Sequence, residues 1–287
     1  MINIKLSQPT TLDEALSLLA NDGDETKIIA GGTALVIMLK NRLISPSMLL
    51  SLGRLPNLSY VRHEPGIGTR IGGLTTIRQA ERSSVLRDKQ PALAGAFGKV
   101  GNVRVRNAAT VGGNLSEADY ASDPPCMLVA LRGRVKARSA SGEREIPLTE
   151  FFKGFYETAL NHNDILTELI VPDLSSQSRS VYLKYVSRSS EDRPCVGMAA
   201  VLDSAPDGTC KELRLVAGAV AETPVEFKKA EAMARGNRLT EELIREIGET
   251  CSGEVEPLSD LRGSAWYRKK IISVLARRAI QQALAAH

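Results

Sequence analysis

The stretch "KIIAGGTALVIML", residues 27 to 39, sets a short apolar run against two adjacent glycines and continues at once into a helix-forming segment. Two more glycine pairs follow, in "RIGGLTT" (70 to 76) and in "NAATVGGNLSEADYASDPP" (107 to 125). A residue without Cβ lets the main chain take positive φ and lets an anion approach the amide N–H groups, and a helix starting just beyond adds its positive end. Thr33 flanks the first pair, and Thr110 and Asn114 flank the third, so side-chain donors stand beside bare backbone. Two such loops suit a diphosphate. Each pair is also readable as a tight connection between elements and nothing more. Familiar nucleotide signatures are missing: "GIGTRIGG" has the wrong spacing for G-x-G-x-x-G, and Gly98-Lys99 is not preceded by a P-loop.

Outward from this stretch, "KIIA" reads as a buried strand, Gly31-Gly32 as a turn, and "TALVIMLKNRL" as a helix with Leu35, Met38, Leu39 and Leu43 on one side. Before it, Thr11 and Glu14 form a capping box for a helix carrying Leu12, Ala15, Leu16 and Leu19 and stopping near "NDGD". After it come strands at "MLLSL" and "IGTRIGGLTT", helices at "TIRQAERSSVL" and "PALAGAFGKV", an irregular "GNVRVRNAAT", and a glycine turn at "TVGGN". A short helix, two strands joined at "SASGE" and a further short helix complete a first domain of residues 1–176, its boundary set by Pro172 and a serine-rich stretch. Residues 177–287 read as three antiparallel strands followed by helices. In the last helix Trp266, Ile271, Ile272, Leu275, Ala279 and Ile280 trace one side, with Arg268, Lys269, Arg277 and Arg278 opposite.

At 287 residues and 43% hydrophobic, the chain is long enough for two domains with substantial cores. Its 37 basic and 33 acidic residues are interspersed and aromatics make up 4%, which argues against a nucleic-acid surface. Cys126, Cys195, Cys210 and Cys251 form no C-x-x-C pair, and His63, His162 and His287 share no ligand spacing, so no metal or cluster site is expected. Unpaired thiols fit a reducing cytoplasm. No leader pattern and no membrane-spanning run is visible.

"AGGTAL" (30 to 35), "TVGGNL" (110 to 115) and the following Asp123-Pro124-Pro125 resemble the FAD-binding medium subunit of molybdenum hydroxylases, the xanthine dehydrogenase and carbon monoxide dehydrogenase family. "TTLDEALSLL", "IGGLTT", "EFFKGFYETAL", "DILTELIVP" and "YLKYVSRSSEDRPCVGMAAVL" fall in the family's order, so the resemblance spans nearly the whole chain. It implies an α+β fold: a two-part FAD-binding domain of the vanillyl-alcohol-oxidase (PCMH) type, then a flavoprotein C-terminal domain. It further implies that Ala30, Gly31, Gly32, Thr33, Ala34 and Leu35 form a first cofactor loop. Thr110, Gly112, Gly113 and Asn114 would form a second, with Asp123, Leu166, Lys184 and Asp192 also at the FAD. Ala34 departs from the Ser or Asp of many relatives, Arg193 stands where the carbon monoxide dehydrogenase relative has a tyrosine against the ring, and no cysteine-rich insertion is present.

Without the resemblance, Asp123 before two prolines reads equally as a helix cap, Lys184 as a solvated lysine, Asp192 as a turn residue and Tyr156 as a packing residue with a bonded hydroxyl. Arg104 and Arg106 either dock an acidic partner or lie in solvent. With no catalytic residue of its own, the chain is expected to hold FAD as one station of an electron path. A large molybdopterin subunit and a small subunit with two [2Fe–2S] clusters are implied partners, in a dimer of heterotrimers, with NAD, quinone or oxygen as acceptor. A stand-alone FAD oxidoreductase, or a non-redox scaffold that has lost flavin through the change at Ala34, are the alternatives.

Overall fold

A computed structural model describes residues 4–22 and 25–285. The first lobe comprises β1 (Lys5–Ser7), α1 (Leu12–Asp22), β2 (Thr26–Ile29), α2 (Leu35–Lys40) and β3 (Met48–Ser51). The strands form a parallel sheet in the order β1-β3-β2. Thr11 Oγ1 accepts from the Glu14 amide, while Glu14 reaches back to the Thr10 amide, one residue earlier than a capping box requires. The stripe Ala15, Leu16 and Leu19 then packs on Leu50, Leu52 and Leu55. The "NDGD" stop at Gly23 and Asp24 lies outside the described residues, as does His287.

The second lobe runs through β4 (Val61–Glu64), β5 (Gly68–Gly72), α3 (Ile77–Arg82), α4 (Ser84–Lys89), α5 (Pro91–Gly98), α6 (Val103–Ala108), α7 (Val111–Glu117) and α8 (Asp123–Ala130). It continues with β6 (Arg134–Ser139), β7 (Gly142–Pro147), α9 (Leu148–Phe151), β8 (Phe152–Gly154), β9 (Glu157–Thr158) and β10 (Ile165–Val171). Its antiparallel sheet has the order β4-β5-β10-β6-β7. Three expectations are corrected here. "TIRQAERSSVL" is two helices, because Ser83 adopts a non-helical ψ of 124° and caps the second with its side chain. "GNVRVRNAAT" contains a helix, started by Asn102, whose side chain accepts from the Arg104 and Val105 amides. "TVGGN" is the first turn of α7, capped by Thr110, and not a turn between elements.

The last part comprises β11 (Ser178–Tyr185), β12 (Val196–Ser204), β13 (Cys210–Gly218), β14 (Val225–Glu226), α10 (Lys228–Ala234), α11 (Glu241–Gly253) and α12 (Ala265–Ala285). The sheet has four antiparallel strands, not three; the fourth is the two-residue β14 on β13, too short to show period-2 patterning. Strand β12 is buried on both faces. Met198, Ala200 and Leu202 enter the core beneath α10, α11 and α12, while Ala199 and Val201 enter the core of the second lobe. Alternation therefore seals one domain onto the other, and on β11 it sends Tyr182 toward the second lobe and Val181 and Leu183 away from it.

The faces of α12 are the reverse of the expectation at its start. Arg268 is fully buried and Trp266 is 69% exposed. Arg268 is four residues from Ile272 and thus shares its face, continuing through Leu275, Ala276 and Ala279, whereas Trp266 is six residues from Ile272 and turns away. The buried guanidinium donates to the Ala219 carbonyl and pairs with Asp260. Burial opposes the charge on that carboxyl, but hydrogen bonds from Arg262 and Tyr120 and the Arg268 charge more than offset it and hold the carboxyl well below its ordinary range. In α2 none of the expected stripe is buried. The helix ends at Lys40, and Leu43, beyond an Arg42 with φ of 57°, is 72% exposed.

Candidate functional site

The glycine pairs share a cause, and it is close approach of backbone. A Cβ on Gly31 would overlap the Ala108 carbonyl oxygen, one on Gly73 would overlap that of Leu166, and one on Gly112 would lie 2.7 Å from the Gly73 oxygen. The crossings are hydrogen-bonded: Gly112 donates to Gly73 (2.8 Å), Val111 to Thr75 (2.9 Å) and Ile77 to Ala109 (2.8 Å). Ala30–Leu35 is thereby laid against the segment leading into Thr110, so the first and third pairs meet at one rim.

The two loops differ in what they offer. The amides of Gly31, Gly32, Thr33, Ala34 and Leu35 donate to no described residue, and Gly32 adopts φ of 70°. Consecutive free N–H groups around a left-handed residue form a concavity that holds an anion. In α7, by contrast, the Gly112 amide is used by Gly73 and the Gly113 amide by Thr110 Oγ1 (3.1 Å). That loop offers its Cβ-free surface, the Thr110 hydroxyl proton and the Asn114 side chain, which exchanges hydrogen bonds with Ser122 (2.8 and 3.2 Å).

Asp123 is the first residue of α8, with Ser122 in the cap position; it is not itself the cap. It is buried, accepts from Tyr182 (2.8 Å) and pairs with Lys184 (3.0 Å). Lys184 is buried too, contrary to the solvated reading, and donates also to the Lys99 carbonyl (2.8 Å). Burial pushes the Asp123 carboxyl up to about 6, against the lowering effect of Lys184 and Tyr182. Burial and the Asp123 charge together raise Tyr182 well above the usual phenol range.

Lys184 opens onto a cleft of about 430 Å³ whose walls include Lys99, Gly101, Asn102, Arg106, Ser190 and Glu191. Asp192 lies beside this wall on the turn after β11, paired with Arg188 (3.3 Å). Arg193 pairs with Asp119 at the end of α7 (2.6 Å), tying that turn to the second lobe. Leu166 is buried in β10 with its carbonyl over Gly73. Tyr156 is half-exposed at φ of 57°, its ring edge-on to Tyr120 and its hydroxyl bonded to no described residue, so the bonded-hydroxyl expectation does not hold.

The structure pairs Asp123 with Lys184, and beside them stand residues that the motifs do not name: Tyr182 on Asp123, and Lys99, Asn102, Arg106, Ser190 and Glu191 in the cleft wall. Asn102 carried a readable signal, a helix-capping side chain after a glycine. The others are brought in only by packing. Among the described residues no cluster of His, Cys, Asp or Glu could hold a metal ion, and no helix is long and apolar enough to cross a membrane.

A row of unpartnered amides, a second loop without Cβ atoms and a cleft of about 430 Å³ are groups that could hold a cofactor. A family model described as the FAD binding domain in molybdopterin dehydrogenase matches residues 2–174, and one described as the CO dehydrogenase flavoprotein C-terminal domain matches 181–283. The glyceraldehyde dehydrogenase medium chain of Sulfolobus acidocaldarius is 34% identical, with 95% of each chain covered. The nicotine 6-hydroxylase medium subunit of Paenarthrobacter nicotinovorans is 31% identical over 98% of this chain and 97% of its own. A structure of carbon monoxide dehydrogenase from Hydrogenophaga pseudoflava, lacking the Mo-pyranopterin moiety, superposes with a TM-score of 0.94 at 29% identity, covering 99% of this chain and 98% of that one. The fold, the two loops and these likenesses together make the chain a member of the FAD-binding medium subunits of the molybdenum hydroxylases, FAD-dependent oxidoreductase subunits.

Proposed function

We propose that this chain holds FAD with the diphosphate on Ala30–Leu35, against Thr110, Gly112, Gly113 and Asn114, and with the ring in the cleft beside Lys184. The row of unpartnered amides from Gly31 to Leu35 carries this reading, because buried or half-buried N–H groups left unpaired in the protein call for an acceptor. Ala34 is no obstacle: its side chain offers no hydrogen bond, but its amide remains free. Leu166 supports the second loop from beneath Gly73, and Asp123 acts on the cleft through Lys184. Asp192 sits at the cleft's outer edge.

When bound, FAD supplies the redox chemistry, taking electrons from the [2Fe–2S] clusters of a small partner subunit and yielding them to NAD, a quinone or oxygen. The chain's own residues bind, orient and shield. A large molybdopterin subunit, where substrate is oxidised, completes the complex in a dimer of heterotrimers; relatives named as medium chains support the division into subunits. Four buried, unpaired cysteines support a cytoplasmic location.

The test is a visible spectrum of the purified full chain after FAD loading and desalting. Flavin absorbance retained in proportion to protein is expected, and its loss in Gly32→Val is expected with it. A chain that stays colourless both alone and with co-expressed large and small subunits would overturn the reading.

A further inference from the structure

The wall of the cleft that faces Lys184 is a short piece of irregular chain, Lys99 to Asn102, and its backbone is held from two sides by cations. Lys184 Nζ donates to the Lys99 carbonyl at 2.8 Å. Arg106 Nη1 donates to the next two carbonyls, Val100 (3.0 Å) and Gly101 (2.9 Å). The Nε of the same guanidinium donates to Glu81 on α3 at 2.9 Å, and Glu81 in turn accepts both oxygens' worth of hydrogen bonds from Arg78 (2.8 and 2.9 Å). The Arg106 and Glu81 side chains are only 13% and 18% exposed. The expectation that Arg106 docks a partner or lies in solvent is therefore wrong; Arg104 is the exposed one of the two.

In a planar trans peptide the N–H points opposite to the C=O. Drawing the Val100 and Gly101 carbonyls onto Arg106 therefore directs the Gly101 and Asn102 amides to the opposite side, where they donate to no described residue. Gly101 adopts φ of 45°, a conformation that costs a residue with Cβ about 1 kcal/mol and that the clamp maintains. Burial opposes the Glu81 charge, and the Arg78 and Arg106 guanidiniums more than offset it, leaving the carboxyl below its ordinary range and ionised for this task.

The geometry points to Arg106 as a positioning residue for the cofactor: aimed by Glu81, it sets the backbone of Lys99–Asn102 against the ring placed in the cleft. This rests on the placement proposed above. A guanidinium is suited to it because one planar fork serves a carboxylate and two carbonyls at once, which a lysine ammonium at the end of a flexible stem does not reproduce.

The experiment compares Arg106→Gln, Arg106→Lys, Glu81→Gln and the cleft-blocking Ser190→Trp in the full chain. It reads the FAD dissociation constant, the visible circular dichroism of the bound flavin and its midpoint potential. Arg106→Gln is expected to weaken FAD binding about tenfold, as losing one pre-organised charged clamp would, and to alter both dichroism and potential. Arg106→Lys should alter the dichroism as much while its potential stays nearer wild type, because charge is kept and geometry lost. Glu81→Gln should alter the dichroism in the same direction. If Arg106→Gln does not fold, the Lys and Glu81 variants decide on the same readings. Dichroism and affinity unchanged in the folded variants, with FAD excluded by Ser190→Trp, would overturn the role of Arg106 alone. FAD binding indifferent to Ser190→Trp would overturn the placement of the ring and this inference with it.

Discussion

Gly112 rests directly on Gly73, its amide donating to the Gly73 carbonyl at 2.8 Å, with space for a Cβ missing by several tenths of an ångström. A glycine that the resemblance assigns to the cofactor is thus also where the chain crosses itself.

A variant at Gly112 should consequently lose more than cofactor. Gly112→Val is expected to lower stability by about 2 kcal/mol or more through overpacking against backbone that cannot yield, as well as lowering FAD content. Gly32→Ala should behave differently. Its Cβ would meet only Ile29 and Val36 side chains at 3.3 Å, with a left-handed penalty of about 1 kcal/mol. Flavin retention and the thermal midpoint, measured side by side, separate the two, and equal stability of both variants would contradict the crossing argument.

The Asp123–Lys184 pair should register in pH titration. Because the folded-state value is raised from 3.8 to about 6, the folded chain binds this proton more tightly than the unfolded chain. The contribution to stability is therefore fullest below pH 3.8 and declines as pH rises to about 6, after which it is level. Thermal midpoints from pH 4 to 7 for wild type and Asp123→Asn should diverge in that window, and parallel curves would argue against the shift. Lys184→Met, which takes the cation from a buried carboxyl and leaves it only the Tyr182 hydrogen bond, should cost about 3 kcal/mol at pH 7.

Arg193→Tyr should change how the bound flavin reacts with acceptors more than how much is bound. The ion pair with Asp119 is lost, but the arginine side chain is 57% exposed and the stability change should stay within about 1 kcal/mol. Reoxidation kinetics with oxygen and a quinone, alongside flavin content, are the measurement. Identical kinetics would remove the turn after β11 from the ring's surroundings.

Burial at the start of α12 makes a sharp contrast. Arg268→Met leaves the buried Ala219 carbonyl without this donor and takes one partner from Asp260, which keeps Arg262 and Tyr120, and is expected to cost about 2 kcal/mol. Trp266→Ser, at a residue 69% exposed, should change stability by no more than about 0.5 kcal/mol. Denaturant midpoints of the two variants check the assignment of faces.

By itself the sequence determined the mixture of strands and helices, the capped start of α1, the β6–β7 hairpin and the loop "AGGTAL", because each depends on local periodicity, capping or glycine content. It also carried Gly112, Asp123 and Lys184 as candidates, through a resemblance. What only the tertiary structure decided was which groups are left free. The Gly31–Leu35 amides are unpartnered and those of Gly112 and Gly113 are not, although both stretches read alike, because the Gly73 carbonyl and the Thr110 hydroxyl accept from one loop while no described acceptor meets the amides of the other. Arg106 and Arg268 are inside and Trp266 outside for the same reason: long-range neighbours, not residue type, supply the partners that let a guanidinium be buried.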